Sequence, residues 1–583
     1  MGRWAGFLQY VTCQYAKNQS PQLTLKEYKL FIYSILRLPS RVSGCAGSGI
    51  RNTAAIAFIA LLACSCVKQN TPVGPEEDEI GRTTETGSNT APGIDTSTPN
   101  TTSNGSNEAE DPAESCESYL GKITPIYKSI PEDLRALKPA EADQLAVNIE
   151  KAIVDCEKYL SNCAYGPIST ELRFYQSKFL QLISSRVRTQ VINDMSKDGA
   201  KFTTEDLDRK MAPFYKRVIG HASMAVDGLE NSSELKPSAI EICAWAHTNL
   251  KEPRKARDDY LNYLKTYPNS ARSPVLTAAL GRVLSDLEEY DAGIKLVEEK
   301  MATEQARKSP DFPTLGETRW KLYEAKGDIP GLLRSAESVL QDYPARTRSD
   351  QYSLKTKEAY SRYLAFNGFR KGYSLMALGR MDEARDAFDS HVKETNKLQA
   401  ALEKRGHALK PAINIYRQRS ENALGFIKET ALRPAPADFE LGDMWVTQKR
   451  TRLQNSTGKV VGLIFRGAED TRSATFLADI GEFAEARNEM EMVAVHFFKS
   501  AKNIDEQLES LRQELAGTGY TGAAGFDPDL TGRKLFRSWG VFVGSATFLI
   551  IDKQGRPVWF QQDPRTRDTN LVKSILLRVV ESE

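Results

Sequence analysis

The stretch Gly458 to Ser473, GKVVGLIFRGAEDTRS, constrains the fold more than any other in this chain. Val460-Val461-Gly462-Leu463-Ile464-Phe465 is too continuously apolar for a strand with one wet face. It reads as a strand covered on both sides, the habit of parallel sheets. A short polar loop follows from Arg466 to Ser473. Phe476, Leu477 and Ile480 then fall on one face of a helix. A strand, a tight loop and a helix start form a common place for chemistry, because the first turn of a helix offers unpaired N–H groups to an anion or a thiolate.

The chain is long enough, at 583 residues, for two or three domains. Its formal charge of +2 gives no field for nucleic acid and no trap for acidic substrates. Five scattered histidines make no cluster with metal-ligand spacing, so no metal and no cofactor is expected. The cysteines are more telling. Cys13, Cys45, Cys64 and Cys66 precede the region expected to fold, Cys116, Cys156, Cys163 and Cys243 lie in its first half, and none follows Cys243.

Residues 51–66, RNTAAIAFIALLACSC, join a basic residue to a short apolar run ending in Leu61-Leu62-Ala63-Cys64. This resembles a bacterial lipoprotein signal peptide with its lipobox, which implies a diacylglycerol on the Cys64 thiol and a place in the bacterial cell envelope, facing the periplasm or outside. About a dozen apolar residues cannot span ~30 Å of hydrocarbon. Residues 1–50 are a doubtful extension, since no Met occurs between Met1 and Met195 and such a signal belongs near the start of a chain. The expectation is that translation begins at a non-Met codon between Val42 and Ile50. Residues 67–113 are Thr, Ser, Asn, Gly, Pro and Glu with almost no large apolar residue, and read as a disordered tether. A flexible chain of about 45 residues reaches ~35–40 Å.

From 114 to 430 the periodicity is helical. Several pieces resemble tetratricopeptide (TPR) units, helical hairpins of about 34 residues. In the run from Gly372 to Phe388, Leu378-Gly379 ends one helix, Ala384 allows close approach of the next, and Phe388 fills the gap. Other pieces run from Ala279 through Ile294, from Trp320 through Tyr343-Pro344, which is expected to close a helix, and from Ala256 to Asn269. Ala256, Ala292, Ala336 and Ala384 are 36, 44 and 48 residues apart, which is irregular for this repeat. The resemblance implies a groove for an envelope protein or peptide partner, by analogy of fold alone. Cys116, Cys156, Cys163 and Cys243 allow three pairings into two bridges. Cys156 and Cys163 flank an expected helix end, so a bridge between them is one expectation, and four buried thiols is the other.

From 434 to 583 the chain resembles thioredoxin-like proteins, and among them the membrane-anchored thiol–disulfide oxidoreductases of the TlpA/ResA (redoxin) kind. Pro434-Ala435-Pro436-Ala437-Asp438-Phe439 matches their opening motif, and a short strand is expected at Met444 to Thr447. Met492 to Phe498 reads as a second buried strand, with Ile504, Leu508, Leu511 and Leu515 marking a helix after it. Thr547-Phe548-Leu549-Ile550-Ile551-Asp552-Lys553-Gln554-Gly555 matches the family hairpin, with a turn at Gln554-Gly555. A last helix carries Leu571, Val572, Ile575, Leu576 and Val579, capped by Asp568 or Thr569. The fold class implied is multidomain: an α-helical TPR-like solenoid followed by an α/β thioredoxin-like domain with a central mixed sheet flanked by helices.

The family's chemistry resides in two cysteines and a cis-proline. The matching positions here are Asp470, Ser473 and Ser545. Thiol–disulfide exchange needs one thiolate to attack sulfur and a second thiol to resolve the product, and a carboxylate and a hydroxyl do neither. A cis bond before a non-proline costs roughly 3 kcal/mol or more, so a trans bond is expected at Ser545. Asp470 and Ser473 read as helix N-cap residues, with Glu469 and Arg472 as solvated loop. His496 reads as a satisfied core or strand-end histidine. No catalytic residue is assigned. The expected role is a redox-inactive binding or scaffold module held to the membrane by a lipid at Cys64. The alternative is an oxidoreductase in which Cys243, or the Cys156 and Cys163 pair, serves the degenerate loop.

Overall fold

The computed structural model describes residues 116–131, 137–163, 165–197, 202–348, 354–403, 411–429, 431, 433, 445–449, 451, 456–467, 470, 473–497, 504–526 and 546–582. The doubtful extension over 1–50, the signal peptide over 51–66 with its Cys64, the tether over 67–113 and Ser545 lie outside them. Among the described residues no helix is long and apolar enough to cross a membrane.

An array of helices comes first: α1 (Cys116–Lys128), α2 (Pro139–Asn162), α3 (Pro167–Ser196), α4 (Thr204–Gly228), α5 (Lys236–Asn249), α6 (Pro253–Thr266) and α7 (Ser273–Asp286). It continues with α8 (Tyr290–Ala302), the short α9 (Glu304–Lys308), α10 (Phe312–Lys326), α11 (Ile329–Arg348), α12 (Leu354–Ala377), α13 (Met381–Glu403) and α14 (Pro411–Glu429). Starts and stops are written in the sequence. Pro139, Pro167, Pro237, Pro253, Pro274 and Pro313 sit in first turns, where a missing N–H leaves nothing unpaired. The Thr203 hydroxyl accepts from the Asp206 N–H at 3.2 Å and caps α4. Gly327 and Gly379 end α10 and α12 with φ of 75° and 74°, a left-handed turn glycine adopts without strain. Tyr343-Pro344 does not close its helix. Pro344 lies inside α11, which runs on to Arg348, so the ring is accommodated without ending the element.

Large helices in the array pack on their sequence neighbours. Where two helices come closest, glycine makes room: a Cβ on Gly372 would stand 2.6 Å from the Phe388 ring, and one on Gly281 2.7 Å from Thr318 Cγ2. Ala336, Ala384 and Phe388 have no exposed surface. Cys116 and Cys163 form the disulfide, with Cα atoms 6.0 Å apart, and Cys156 and Cys243 are free and buried. The expected Cys156–Cys163 bridge is therefore wrong. Seven residues of helix separate those two by about 10.5 Å along the axis, beyond disulfide reach.

The sheet follows as β1 (Val460–Gly467), α15 (Ala474–Glu485), β2 (Met490–Phe497), α16 (Ile504–Thr518), β3 (Ala523–Phe526), β4 (Thr547–Ile551), β5 (Pro557–Gln562) and α17 (Thr569–Glu581). Its order is β3-β2-β1-β4-β5. β1, β2 and β3 run parallel, while β4 and β5 are antiparallel to their neighbours. This succession of a parallel βαβ unit, a β-hairpin and a closing helix is a thioredoxin-like arrangement. Gly555 turns the hairpin at φ 75°, and the Asp552 carboxylate accepts from the Gln554 and Arg556 N–H groups. Of the strand expected at Met444 to Thr447, the described residues form a bridge between Trp445 and Gly525.

The array and the sheet share one continuous hydrophobic core that runs from Ala278 to Val579. α17 packs on β1 and α15 and also on α10 and α11. Tyr373 of α12 meets Trp559 of β5 at 5.5 Å between ring centroids, and Phe426 of α14 meets Phe560 at 4.7 Å. The Asn570 side-chain amide donates to the Ala325 carbonyl at 2.7 Å.

Candidate functional site

The loop between β1 and α15 occupies the place where a thioredoxin-like protein carries its cysteines. β1 delivers Arg466 and Gly467 at its C-terminal end, β2 delivers His496 beside them, and α15 begins after Ser473. The Asp470 N–H donates to the Gly467 carbonyl at 3.0 Å and tightens the turn. The Ser473 hydroxyl donates to Asp470 Oδ2 at 3.0 Å.

Ser473 stands at the N-cap position of α15, yet its side chain makes no capping hydrogen bond. Its hydroxyl is spent on the Asp470 carboxylate instead. Ser473 is wholly buried, so no substrate reaches its oxygen. The two residues tie the loop to the helix start. Ser545, Glu469 and Arg472 lie outside the described residues. Ala546, next to Ser545, accepts through its carbonyl from the Asp563 N–H at 2.8 Å.

Three charged or titratable side chains meet behind the loop. Arg466 has no exposed surface. Its Nη2 donates to the Asp470 carbonyl and, at 2.6 Å, to Glu514 Oε1 on α16. Its Nε and Nη1 have no hydrogen-bond partner among the described residues. His496 is equally buried, and neither ring nitrogen has a partner among them. Burial first, and the Arg466 charge second, hold its basicity well below the usual histidine range. His496 is therefore a buried core imidazole, in the core position the sequence suggested, with no hydrogen-bond partner for its ring nitrogens among the described residues.

From the sequence, Arg466 is only the first residue of a short polar loop. The available signal was an arginine continuing directly from an apolar run, opposite a histidine ending another. Its acidic partner Glu514 carried no signal, being one of several carboxylates on an amphipathic helix.

The helical cysteines lie elsewhere. Cys156 and Cys163 belong to a core built from α1 to α5, together with Cys243, and that core shares no buried residue with the one containing the sheet. Burial pushes the Cys156 and Cys243 thiols up to about 12, helped by Asp155 at the first and Asp259 at the second. Among the described residues no group of three or more His, Cys, Asp or Glu is placed to hold a metal ion.

No protein-family model matches the chain, and no curated protein matches it. Solved structures similar to part of it are thioredoxin-like. A thiol:disulfide interchange protein of the thioredoxin family from Chlorobium tepidum is 19% identical, with 26% of this chain and 96% of that one covered and a TM-score of 0.20. The exposed lipoprotein thioredoxin Etrx1 from Streptococcus pneumoniae is 26% identical over 24% of this chain and 98% of its own, with a TM-score of 0.20. StoA from Bacillus subtilis is 18% identical over 24% and 98%, with a TM-score of 0.19. The thioredoxin-like assignment of the sheet rests on its strand order and connectivity.

Proposed function

We propose that this chain is a bacterial envelope lipoprotein in which a redox-inactive thioredoxin-like domain and a TPR-like helical array act together as a binding or scaffold module. The observation that carries the reading is the distribution of thiols. The loop that should hold them has Asp470 hydrogen-bonded to a buried Ser473, and the chain has no cysteine after Cys243. What counts against the oxidoreductase alternative is the placing of Cys156 and Cys243. Each is buried in a different core from the loop, and a thiol pushed up to about 12 is scarcely ionised at neutral pH.

The TPR-like reading is supported by hairpins such as α10–α11 and α12–α13, each turned by a left-handed glycine and closed over a fully buried alanine. An envelope protein or peptide is the partner chemistry such a surface implies. The lipid anchor rests on the sequence alone, and metabolic labelling with a radioactive fatty acid tests it: incorporation should vanish in Cys64→Ser.

The deciding experiment is catalysed insulin reduction by the purified chain with dithiothreitol, alongside peroxide consumption. The expected rate is the uncatalysed one. Activity that disappears in Cys156→Ser or Cys243→Ser would overturn the proposal in favour of the oxidoreductase.

A further inference from the structure

We draw no further inference here: the strongest candidate, the open apolar groove that Leu120, Thr124 and Pro125 of α1 form with Ile168 of α3, carries nothing because nothing in the structure shows what covers it.

Discussion

Arg466 and His496 are register partners at the C-terminal ends of β1 and β2, and both side chains are wholly withdrawn from solvent. A permanent cation beside a buried imidazole makes a second positive charge costly. The pair thus fixes His496 in its neutral form. The Arg466 charge is turned to the Asp470 carbonyl and Glu514, holding the loop between β1 and α15.

Acid should therefore destabilise this protein well above the carboxylate range. Three histidines have basicity held down by burial: His221 and His391, both lowered to about 4, and His496, lowered well below its ordinary value. Each folded-state pKa lies under the unfolded value of about 6.5. Between the two values the unfolded chain binds more protons, so stability is whole above about pH 6.5 and is lost as pH falls toward 4. His391 alone contributes about 3 kcal/mol across that window. Urea midpoints at pH 7.5, 6 and 5 should decline in that order. In Arg466→Met the decline should be smaller, because the second cause of the His496 shift is gone. A midpoint flat from pH 7.5 to 5 contradicts the assignment of neutral buried histidines.

How far the sequence carries depends on whether a feature is local. Val460 to Phe465 could be read because a strand covered on both faces needs an unbroken apolar run. The Gln554-Gly555 turn and the stripe of α17 were legible for the same reason, since each obeys a periodicity or a φ requirement within a few residues. The group of Arg466, His496 and Glu514 was not, because strand register and a helix almost fifty residues away bring it together. The disulfide failed for a related reason: Cys163 was matched to its near neighbour Cys156, while the bond goes to Cys116 on another helix. Nor was Gly327, which ends α10, legible as the point where α17 comes to rest, because Asn570 and Ser574 are far from it in sequence.

That second role of Gly327 gives a prediction. With φ of 75°, any side chain there is strained, and a Cβ would stand 2.8 Å from the Asn570 carbonyl oxygen and 2.3 Å from Ser574 Oγ. Gly458 has a comparable φ of 85° with nothing within 4 Å of its would-be Cβ. Strain alone costs roughly 1–2 kcal/mol at either site. Gly327→Ala should therefore destabilise more than Gly458→Ala, the excess reporting the displacement of α17 from α10. Denaturant melts of the two variants compare them directly, and equal losses would remove the contact from the account.

The shared core predicts cooperative melting. Trp559 has no exposed surface and lies between Tyr373 of the array and Phe548 of the sheet. Trp559→Ala should cost about 3–5 kcal/mol by opening a cavity between them. Helical signal at 222 nm, read as roughly all of the array, and aromatic near-ultraviolet signal should shift together in that variant. Trp559→Phe should cost less, since Trp559 Nε1 has no partner among the described residues to lose. Separate transitions for the sheet and for α7–α14, the helices that share its core, would show that those two parts fold independently.

The disulfide and the buried thiols make opposite demands on a reductant. Cys116 and Cys163 are 47 residues apart, and opening a loop of that length releases about 4 kcal/mol of chain entropy to the unfolded state in the simplest treatment. Cys116→Ser should lower stability by about 2–4 kcal/mol, with the loss confined to α1–α5, whose core is distinct from that of the sheet. Cys156 and Cys243, pushed up to about 12 from an ordinary 9, hold roughly a thousandth of the usual thiolate population. Peptide mapping after native alkylation should find both unmodified, in Cys116→Ser as in the parent, until denaturant opens the helices. Rapid native labelling of either thiol would restore it as a candidate for redox work and weaken the binding-module reading.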